Sequence, residues 1–201
     1  MTTSSPGWRR VGLLGGTFDP PHLGHLIAAE TARVELELDE VRFVVAGAPW
    51  MKHSHSPPAE RVAMTELATA DDDAFTVNTE EVERDGPTFT VETLERIARD
   101  EPRVDVTFLL GADAAMLIGD WQAPERCLEL ATFVVVPRPG FALELEGPLL
   151  GRMTWLDMPT IGVSSTELRA RFSEGRGVRH QLPRRVEDYV HEHGLYARGT
   201  G

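Results

Sequence analysis

The sequence predicts an α/β fold, in which a doubly wound parallel sheet carries helices on both faces and the C-terminus adds a small helical extension. Short apolar runs alternate along the 201 residues with segments rich in helix-forming residues. Most of the apolar runs end in loops with glycine or proline, as expected for buried strands that are followed by helices. Such alternation implies βαβ crossovers, and the strands of a βαβ unit are parallel.

Six strands and six helices are predicted along the chain. Strand-like runs lie at 11–16, 41–47, 75–82, 104–113, 131–140 and 153–159, and helical patterns lie at 24–38, 59–70, 88–100, 123–130, near 164–173 and at 183–193. In the first helix, Leu26, Ala29 and Val34 are expected to lie near one face. We predict one domain over residues 1–201, with a core at about 9–160 and a C-terminal helical part at about 161–196.

The predicted architecture is Rossmann-like, and it indicates where a ligand binds. Ligands of such sheets collect at the carboxyl ends of the strands, near the point where the strand order reverses. The loops after residues 14, 47, 110 and 136 each follow a predicted strand. We therefore expect the functional residues to lie in or beside these loops.

Charge and cysteine content exclude several classes of function. The formal net charge of -12 at pH 7 argues against a general nucleic-acid or anionic-membrane surface, because both would repel the chain. A small phosphate ligand is still compatible, since backbone amides and a few local cations outweigh a distant charge. Cys127 is the single cysteine, and the sequence shows neither a signal peptide nor a membrane-spanning run. We predict a cytoplasmic protein without nucleic-acid or membrane partners, and a homo-oligomer is left open.

The stretch GGTFDPPHLGH, which begins at Gly15, has features of a phosphate-binding turn. Gly15 and Gly16 permit a sharp turn and a close approach of a ligand to the backbone. Gly24 starts the predicted helix, whose first amides and dipole favour an anion. There His22 and His25 can each donate a hydrogen bond to phosphate or, as cations, neutralise charge in a transition state. Without a third zinc ligand or a GKS or GKT sequence, the stretch taken alone also fits a glycine turn with two exposed histidines.

A second stretch, GVSSTELRARF at residues 162–172, repeats this chemistry near the C-terminus. Three hydroxyl residues open a predicted helix that carries Arg169 and Arg171. Helix amides and hydroxyls on one side and Arg169 on the other would form a second anion-binding site. The alternative is a helix cap that binds no ligand. Two anion-binding sites in one α/β chain favour a polyphosphate.

These two stretches resemble the T/H-x-G-H and S-S/T-x-x-R signatures of the nucleotidyltransferase superfamily. Within it, the chain resembles bacterial nicotinate-nucleotide adenylyltransferases over about residues 11 to 196. The narrower resemblance rests on the segments GPTFTVETL (86–94), FLLGADAAMLIGDW (108–121), VVVPRPGF (134–141) and LPRRVEDYVHEHGLY (182–196). The chain departs from the family pattern at Trp50 and Met51, which precede Lys52 in place of proline and histidine, and at Pro21, where an aliphatic residue is usual.

The resemblance implies a reaction. ATP and nicotinic acid mononucleotide would give nicotinic acid adenine dinucleotide and pyrophosphate, a step of NAD biosynthesis, with Mg²⁺ arriving on the ATP. The attacking group is already a phosphate, so a protein nucleophile is not required. The protein would instead align two phosphates that repel one another and neutralise the charge that develops. We therefore expect no dedicated metal site.

The resemblance also implies roles for individual residues. His22 and His25 are the expected catalytic residues. The residues expected to bind ATP are Gly15, Gly16, Thr17, Phe18, His22, His25, Ser165, Thr166 and Arg169, and those expected to bind the mononucleotide are Lys52, Thr88, Phe89, Asp113 and Trp121. Structural alternatives stay open for three of them: Asp113 as a helix cap, Trp121 as a core residue and Lys52 as a solvated side chain.

Asp19 and the remaining histidines are given structural roles. Asp19 is expected to fix the turn by accepting backbone hydrogen bonds rather than to act as a base. Structural or solvated roles are expected for His53, His55, His191 and His193, because they lie in a polar loop or on different sides of a helix. None of these five residues is therefore expected to contact a substrate.

Three other functions share parts of this pattern. Pantetheine-phosphate adenylyltransferases share both signatures, but GPTFTVETL and GADAAMLIGDW favour a pyridine nucleotide. Class I aminoacyl-tRNA synthetases also use an H-x-G-H element, yet an acidic chain of 201 residues leaves no room for a tRNA-binding module. A module that senses ATP without turnover would need neither both histidines nor a second phosphate site.

The segment DGPTFTVETL predicts a choice between acid and amide substrates. Pro87 and Thr88 stand where a helix is expected to begin, so free amides near Thr88 and Phe89 should face the ligand. A carboxylate suits such a helix end, whereas a neutral carboxamide brings no charge. We expect at least a tenfold preference for the acid, which corresponds to about 1.4 kcal/mol.

Overall fold

The computed structural model describes residues 7–48, 54–141 and 144–197. The strands are β1 (Arg9–Gly16), β2 (Glu40–Val45), β3 (Phe75–Asn78), β4 (Val104–Gly111), β5 (Thr132–Val136) and β6 (Thr154–Trp155). The helices are α1 (Leu23–Glu35), α2 (Pro58–Thr69), α3 (Glu80–Glu83), α4 (Thr90–Asp100), α5 (Ala112–Ala115), α6 (Pro124–Leu130), α7 (Gly147–Leu150), α8 (Ser165–Ser173) and α9 (Arg184–Glu192), with a 3₁₀ turn at Ile118–Asp120.

The strands form one parallel sheet in the order β3-β2-β1-β4-β5-β6. The chain first extends the sheet from β1 to β3 and then places β4 on the other side of β1. The strand order therefore reverses between β1 and β4, which confirms the predicted doubly wound arrangement. A ligand is expected at the carboxyl ends of these two strands.

Both faces of the sheet are covered by helices. Successive side chains of β1 point to opposite faces, as in any strand. Leu13 packs in a cluster with residues of α4 and α6, whereas Leu14 packs in a second cluster with residues of α1. The apolar run of β1 is thus buried on both sides, as the sequence predicts for a parallel strand.

Helix α1 contacts the sheet through small residues. Its buried residues are Ala28, Ala29 and Ala32, which allow the helix to approach the strands closely. Val34 is 54% exposed, so its predicted place near the buried face is wrong. Val34 lies five positions after Ala29, which turns it about 140° around the helix axis.

The C-terminal helices form a third apolar cluster with α2. Met64 of α2, Leu168 of α8 and Val186 of α9 are fully buried in it. This cluster attaches the C-terminal helices to the rest of the fold. In the described ranges no helix is long and apolar enough to cross a membrane, and the proposed division near residue 160 stays a prediction.

The predicted elements are confirmed with two exceptions among the strands. The strand expected at 75–82 ends at Asn78 and is followed by the single turn of α3. The strand expected at 153–159 is reduced to Thr154–Trp155, which pairs with β5 at the edge of the sheet. The four-residue helices α5 and α7 were not predicted, because one turn is too short to show a periodic pattern.

Candidate active site

A cavity of about 540 Å³ opens at the carboxyl ends of β1 and β4, where the strand order reverses. Most of the residues predicted to bind ligand line it, namely Gly15, Gly16, Thr17, His22, His25, Thr88, Phe89, Asp113, Trp121, Ser165, Thr166 and Arg169. Phe18 is not a lining residue, and Lys52 lies outside the described residues. The fold thus brings together residues that are up to about 150 positions apart in the sequence.

Phe18 supports the turn after β1 from inside the core. Its backbone is in the left-handed region, with φ 49°, and its ring is 1% exposed. The ring packs against Phe43, with centroids 5.4 Å apart, and meets the ring of His25 edge-on at 5.1 Å. A Cβ on Gly16 would lie 3.0 Å from the Phe18 ring, so this position favours glycine. The enclosed ring is compatible with the prediction that only the backbone of Phe18 lies along ATP, which stays a prediction.

His22 and His25 stack at the start of α1. Their ring centroids are 3.7 Å apart and the ring planes are tilted by 23°. The backbone amide of His22, the N-cap residue, donates a hydrogen bond of 3.2 Å to Nδ1 of His25. Because Nδ1 of His25 accepts, a neutral His25 carries its proton on Nε2, from which it can donate to a ligand.

Of the two roles predicted for His22, a hydrogen-bond donor and a cation, the structure disfavours the cation. Burial, together with the positive charge of Arg138, lowers the pKa of His22 to about 3. The ring is 4% exposed and neutral near pH 7. His22 therefore cannot act as a cation near pH 7 unless a negative group comes close. It can act as a neutral hydrogen-bond donor.

Asp19 connects the turn after β1 with two other segments. Its Oδ1 accepts a hydrogen bond of 2.7 Å from the hydroxyl of Tyr196, and its Oδ2 accepts from the amides of His55 at 2.5 Å and Ser56 at 3.4 Å. Burial raises the pKa of this carboxyl, but the hydrogen bonds from Tyr196, His55 and Ser56 outweigh it and hold the pKa below its ordinary value. The expectation that Asp19 accepts backbone hydrogen bonds is confirmed, although the amides belong to the loop before α2.

The start of α8 is fixed to the same turn. Ser164 caps the helix with its hydroxyl, as the sequence allows. The hydroxyl of Ser165 donates to the carbonyl of Pro20 at 2.8 Å, and Arg169 donates to the carbonyl of Asp19 at 2.6 Å. The two stretches that the sequence identifies as anion-binding are therefore neighbours in the fold.

Arg61 of α2 is a buried cation beside this turn. It is 0% exposed, and its guanidinium donates to the carbonyls of Thr17 at 3.0 Å, Ala46 at 2.6 Å and Gly47 at 3.0 Å. Burial lowers the pKa of Arg61, but an arginine stays charged in proteins. A fixed positive charge thus lies next to the place where an anion is expected.

The opposite side of the cavity is formed by the segment before α4. Thr88 is buried, and its hydroxyl donates to Glu81 Oε2 at 2.9 Å, while the hydroxyl of Thr93 donates to Oε1 at 3.0 Å. The helix begins at Thr90 with Phe89 as the N-cap, two residues later than predicted. Thr88, Phe89 and Thr90 all line the cavity, so the start of the helix lies at its wall.

Asp113 and Arg138 form an ion pair on the cavity wall, with Arg138 Nε 3.2 Å from Asp113 Oδ1. Asp113 lies in the first turn of α5, whose N-cap is Gly111. A Cβ on Gly111 would lie 2.5 Å from that carboxylate oxygen and 2.6 Å from Arg138 Nε. The ion pair therefore depends on glycine at the end of β4.

Trp121 packs against the core and also reaches the cavity, while its stacking on a pyridine ring stays a prediction. Its ring meets Phe108 and Phe133 edge-on, with centroids 6.0 and 6.2 Å apart, and packs against the core. It also lines the cavity. Its indole Nε1 is buried and has no hydrogen-bond partner in the part of the chain that the structure describes. Core packing thus holds a flat aromatic surface at the wall of the cavity.

The carboxylates of the cavity are already engaged by the chain. Asp19 accepts from Tyr196, Glu81 accepts from two threonines, and Asp113 pairs with an arginine. Over residues 7–48, 54–141 and 144–197 no three histidine, cysteine, aspartate or glutamate side chains are grouped to hold a metal ion. This donor set does not fit a metal ion bound by the protein alone, whereas an ion carried on phosphate oxygens needs no such group.

Four residues with charged or titratable side chains at or beside the cavity were given no role from the sequence, namely Arg61, Glu81, Arg138 and Tyr196. The sequence contained an indication that Arg61 is buried, because it shares a helical face with Met64 and Thr65, which are buried in α2. Arg138 also had an indication, since it follows a strand in a loop where functional residues are expected. Glu81 and Tyr196 had no local signal, because their roles depend on partners brought close by the fold.

Comparison with known proteins gives sequence relatives over nearly the whole chain. A family model described as cytidylyltransferase-like matches residues 13–171. A protein of Thermus thermophilus named "Probable nicotinate-nucleotide adenylyltransferase" is 49% identical over 187 residues, which cover 93% of this chain and 99% of the relative. A protein of the same name from Leifsonia xyli is 41% identical, with 93% of this chain and 94% of the relative covered.

Solved structures share the fold. Nicotinic acid mononucleotide adenylyltransferase of Plasmodium falciparum, complexed with NaAD, superimposes with a TM-score of 0.80 and covers 94% of this chain and 97% of its own. The same enzyme complexed with APC gives a TM-score of 0.77, with the same shares covered. Sequence identity is 18% in both comparisons, so the likeness concerns the fold.

Proposed function

The chain belongs to the nicotinate-nucleotide adenylyltransferase family of cytidylyltransferase-like proteins, and we propose that it acts on the substrates of that family. It transfers the adenylyl group of ATP to nicotinic acid mononucleotide and forms nicotinic acid adenine dinucleotide, an intermediate of NAD biosynthesis, with release of pyrophosphate. The observation that carries this proposal is one cavity lined by the histidine pair, the start of α8 and the start of α4. We also propose a cytoplasmic location, which the single cysteine supports.

The chemistry is a phosphoryl substitution without a covalent enzyme intermediate. An oxygen of the mononucleotide phosphate attacks the α-phosphorus of ATP and forms the new P–O bond. The bond from the α-phosphorus to the bridging oxygen of the β-phosphate breaks, and that oxygen leaves with pyrophosphate. Nothing is oxidised or reduced, so the residues of the chain have only to bind, align and stabilise charge.

We assign the ATP phosphates to the turn after β1 and to the starts of α1 and α8. His22 and His25 would donate hydrogen bonds to the phosphate oxygens on which charge develops. Ser165, Thr166 and Arg169 would hold the β- and γ-phosphates and the departing pyrophosphate. ATP would bind as its Mg²⁺ complex, because the carboxylates of the cavity are already engaged by the chain. Carried on the phosphate oxygens, the ion would screen the phosphate charges.

We assign the pyridine ring to the opposite side of the cavity. Trp121 would stack on the ring, and the amides beside Thr88 and Phe89 would receive its carboxylate. Asp113 would accept from a ribose hydroxyl, with its own orientation fixed by Arg138. This assignment pairs Trp121 with the ring, the helix amides with the carboxylate and Asp113 with a ribose hydroxyl.

Release of pyrophosphate by a panel of substrates tests the function. The purified chain is incubated with ATP or CTP, each with nicotinic acid mononucleotide, nicotinamide mononucleotide or phosphopantetheine, or with no acceptor. We expect the fastest release with ATP and nicotinic acid mononucleotide, and a product with the mass of the dinucleotide. Preferential release with phosphopantetheine, or equal release without an acceptor, would contradict the proposal.

A further inference from the structure

Tyr196 reaches the active-site turn from the C-terminal end of the described chain. It lies beyond the end of α9 at Glu192. Its backbone adopts φ 62°, a conformation that is unusual for a bulky residue and that persists only where the surroundings enforce it. The ring packs beside Phe172 of α8 at 5.9 Å, and the hydroxyl also lies 3.8 Å from Met64 Sδ of α2. Tyr196 is therefore fixed between two helices, with its hydroxyl at Asp19.

The hydroxyl of Tyr196 is a donor that stays protonated. Burial raises the pKa of Tyr196 far above its ordinary value, and the neighbouring Asp19 carboxylate contributes to this shift. The hydrogen bond to Asp19 Oδ1 is 2.7 Å long. Four groups with a charge or a titratable side chain are placed around Asp19: Tyr196, Arg61 of α2, Arg169 of α8 and His55, whose Nδ1 is 3.8 Å from Oδ2.

Asp19 connects Tyr196 with two groups of the reaction centre. Its carbonyl accepts the hydrogen bond from Arg169, and three residues further along the chain His22 is the N-cap of α1. Tyr196 is not among the residues that line the cavity. Its hydroxyl therefore acts on the substrates through Asp19, which lines the cavity, and not by direct contact.

We propose that Tyr196 is a positioning residue for adenylyl transfer, which holds Asp19 and thereby sets Arg169 and the histidine pair in register with the ATP phosphates. Without the hydroxyl, Oδ1 of Asp19 would be a buried carboxylate oxygen without this donor. The turn would then adjust to find another partner. Small displacements of aligned groups reduce a phosphoryl-transfer rate strongly, so the rate would suffer more than folding.

The two tyrosines of the chain provide a matched test. Tyr189 of α9 is also influenced by a carboxylate, because burial and the neighbouring Glu60 raise the pKa of its hydroxyl, but it does not line the cavity. We compare Tyr196→Phe with Tyr189→Phe, and measure kcat, the KM for each substrate and the midpoint of thermal unfolding. For Tyr196→Phe we expect kcat/KM for ATP to fall about tenfold or more, with the KM for the mononucleotide within about twofold of the wild type. Tyr189→Phe should stay within about twofold in every kinetic constant.

A double substitution tests the route through Asp19. If Tyr196 acts through Asp19, then Tyr196→Phe should have little further effect in an Asp19→Ala background, because alanine offers no acceptor to the Tyr196 hydroxyl and the two changes then remove the same interaction. Losses that multiply would overturn the proposal. So would wild-type kinetics in Tyr196→Phe, equal losses in both tyrosine variants, or an equal rise of KM for both substrates.

A second measurement applies if Tyr196→Phe does not fold. Incorporation of 3-fluorotyrosine into the Tyr189→Phe variant labels Tyr196 alone. Its fluorine resonance should move when a non-hydrolysable ATP analogue saturates the protein, and it should not move with the mononucleotide alone. An unchanged resonance with the ATP analogue would overturn the proposal. The inference rests on the adenylyl transfer proposed above, which the turnover of the unlabelled wild type tests separately.

Discussion

The two sides of the cavity are built from different interactions. On the side assigned to ATP, directional hydrogen bonds join distant parts of the chain: Ser165, Arg169 and Tyr196 all bond to the turn at Asp19 and Pro20. On the side assigned to pyridine, an aromatic cluster holds Trp121, and the polar contacts of Thr88 are local in the sequence. Phosphoryl transfer needs groups fixed in direction, whereas a flat ring needs a firm apolar surface. The difference in construction therefore matches the difference in task.

The two sides also differ in charge. Arg61 and Arg169 donate to the turn on the ATP side, although the whole chain carries a formal net charge of -12. On the pyridine side, the buried carboxylate of Glu81 lies next to Thr88. Local cations thus favour a polyphosphate despite the overall charge. A substrate carboxylate on the other side has to be stabilised by helix amides against a nearby buried acid.

The largest effect is expected from His25 on the ATP side. His25→Ala removes one oriented donor, and loss of such a donor lowers kcat by about 10²–10³-fold. The KM for the mononucleotide should change little, because that substrate is assigned to the other side. Steady-state kinetics with both substrates measures kcat and KM. A thermal unfolding scan shows whether the variant is folded.

A histidine remote from the cavity serves as the control for His25. His193 is exposed at the end of α9, and His193→Ala should leave kcat unchanged. Near-normal turnover in a folded His25→Ala variant would remove this histidine from the mechanism. It would also contradict the view that the ATP side aligns the reacting groups while the pyridine side binds the ring.

Arg169 should give the next largest effect. Arg169→Ala should lower kcat/KM for ATP by about 30-fold, since a charge-assisted contact to phosphate is lost, and should affect the mononucleotide much less. Arg171→Ala is a matched control on the same helix, because Arg171 bonds to Glu167 and to the carbonyl of Gly177 instead of the turn. If Arg169→Ala changed only thermal stability and left ATP kinetics intact, Arg169 would be a structural residue.

On the ATP side, the phosphate-binding stretches could be predicted from the sequence, but the contacts that hold them in place could not. The strands, the helices and the two anion-binding stretches follow from local patterns, because glycine turns, helix starts and apolar runs are short-range signals, and the family resemblance implies that both stretches bind ATP. The bond from Tyr196 to Asp19 spans 177 positions, so it depends on packing that short-range patterns do not encode. The same holds for the neutral His22, whose pKa depends on burial.

The choice between acid and amide is a smaller effect on the pyridine side. We expect kcat/KM for nicotinic acid mononucleotide to exceed that for nicotinamide mononucleotide at least tenfold, about 1.4 kcal/mol, because the start of α4 favours an anion. Parallel rate measurements with the two substrates test it. Equal efficiencies, or a preference for the amide, would mean that the α4 end does not receive the carboxylate.

Glu81 sharpens the same test. Glu81→Gln keeps the shape of the side chain but removes a buried negative charge near Thr88. The preference for the acid should therefore increase in this variant, since less repulsion opposes the substrate carboxylate. A preference that falls would place the carboxylate elsewhere in the cavity.

The smallest expected effect concerns the dependence of stability on pH, and it separates the two sides without substrates. Burial, with Arg138, lowers the pKa of His22 from 6.5 to about 3, so between these values the unfolded chain binds a proton that the folded chain does not. The free energy of unfolding should therefore fall as pH falls from 6.5, by about 1 kcal/mol down to pH 5.5 from this group alone. His22→Asn keeps a good N-cap residue without the titration, and its urea midpoint should fall less over this range. Trp121→Phe on the pyridine side should shift the midpoint equally at every pH. A His22→Asn curve parallel to that of the wild type would show that His22 is not held neutral by the fold.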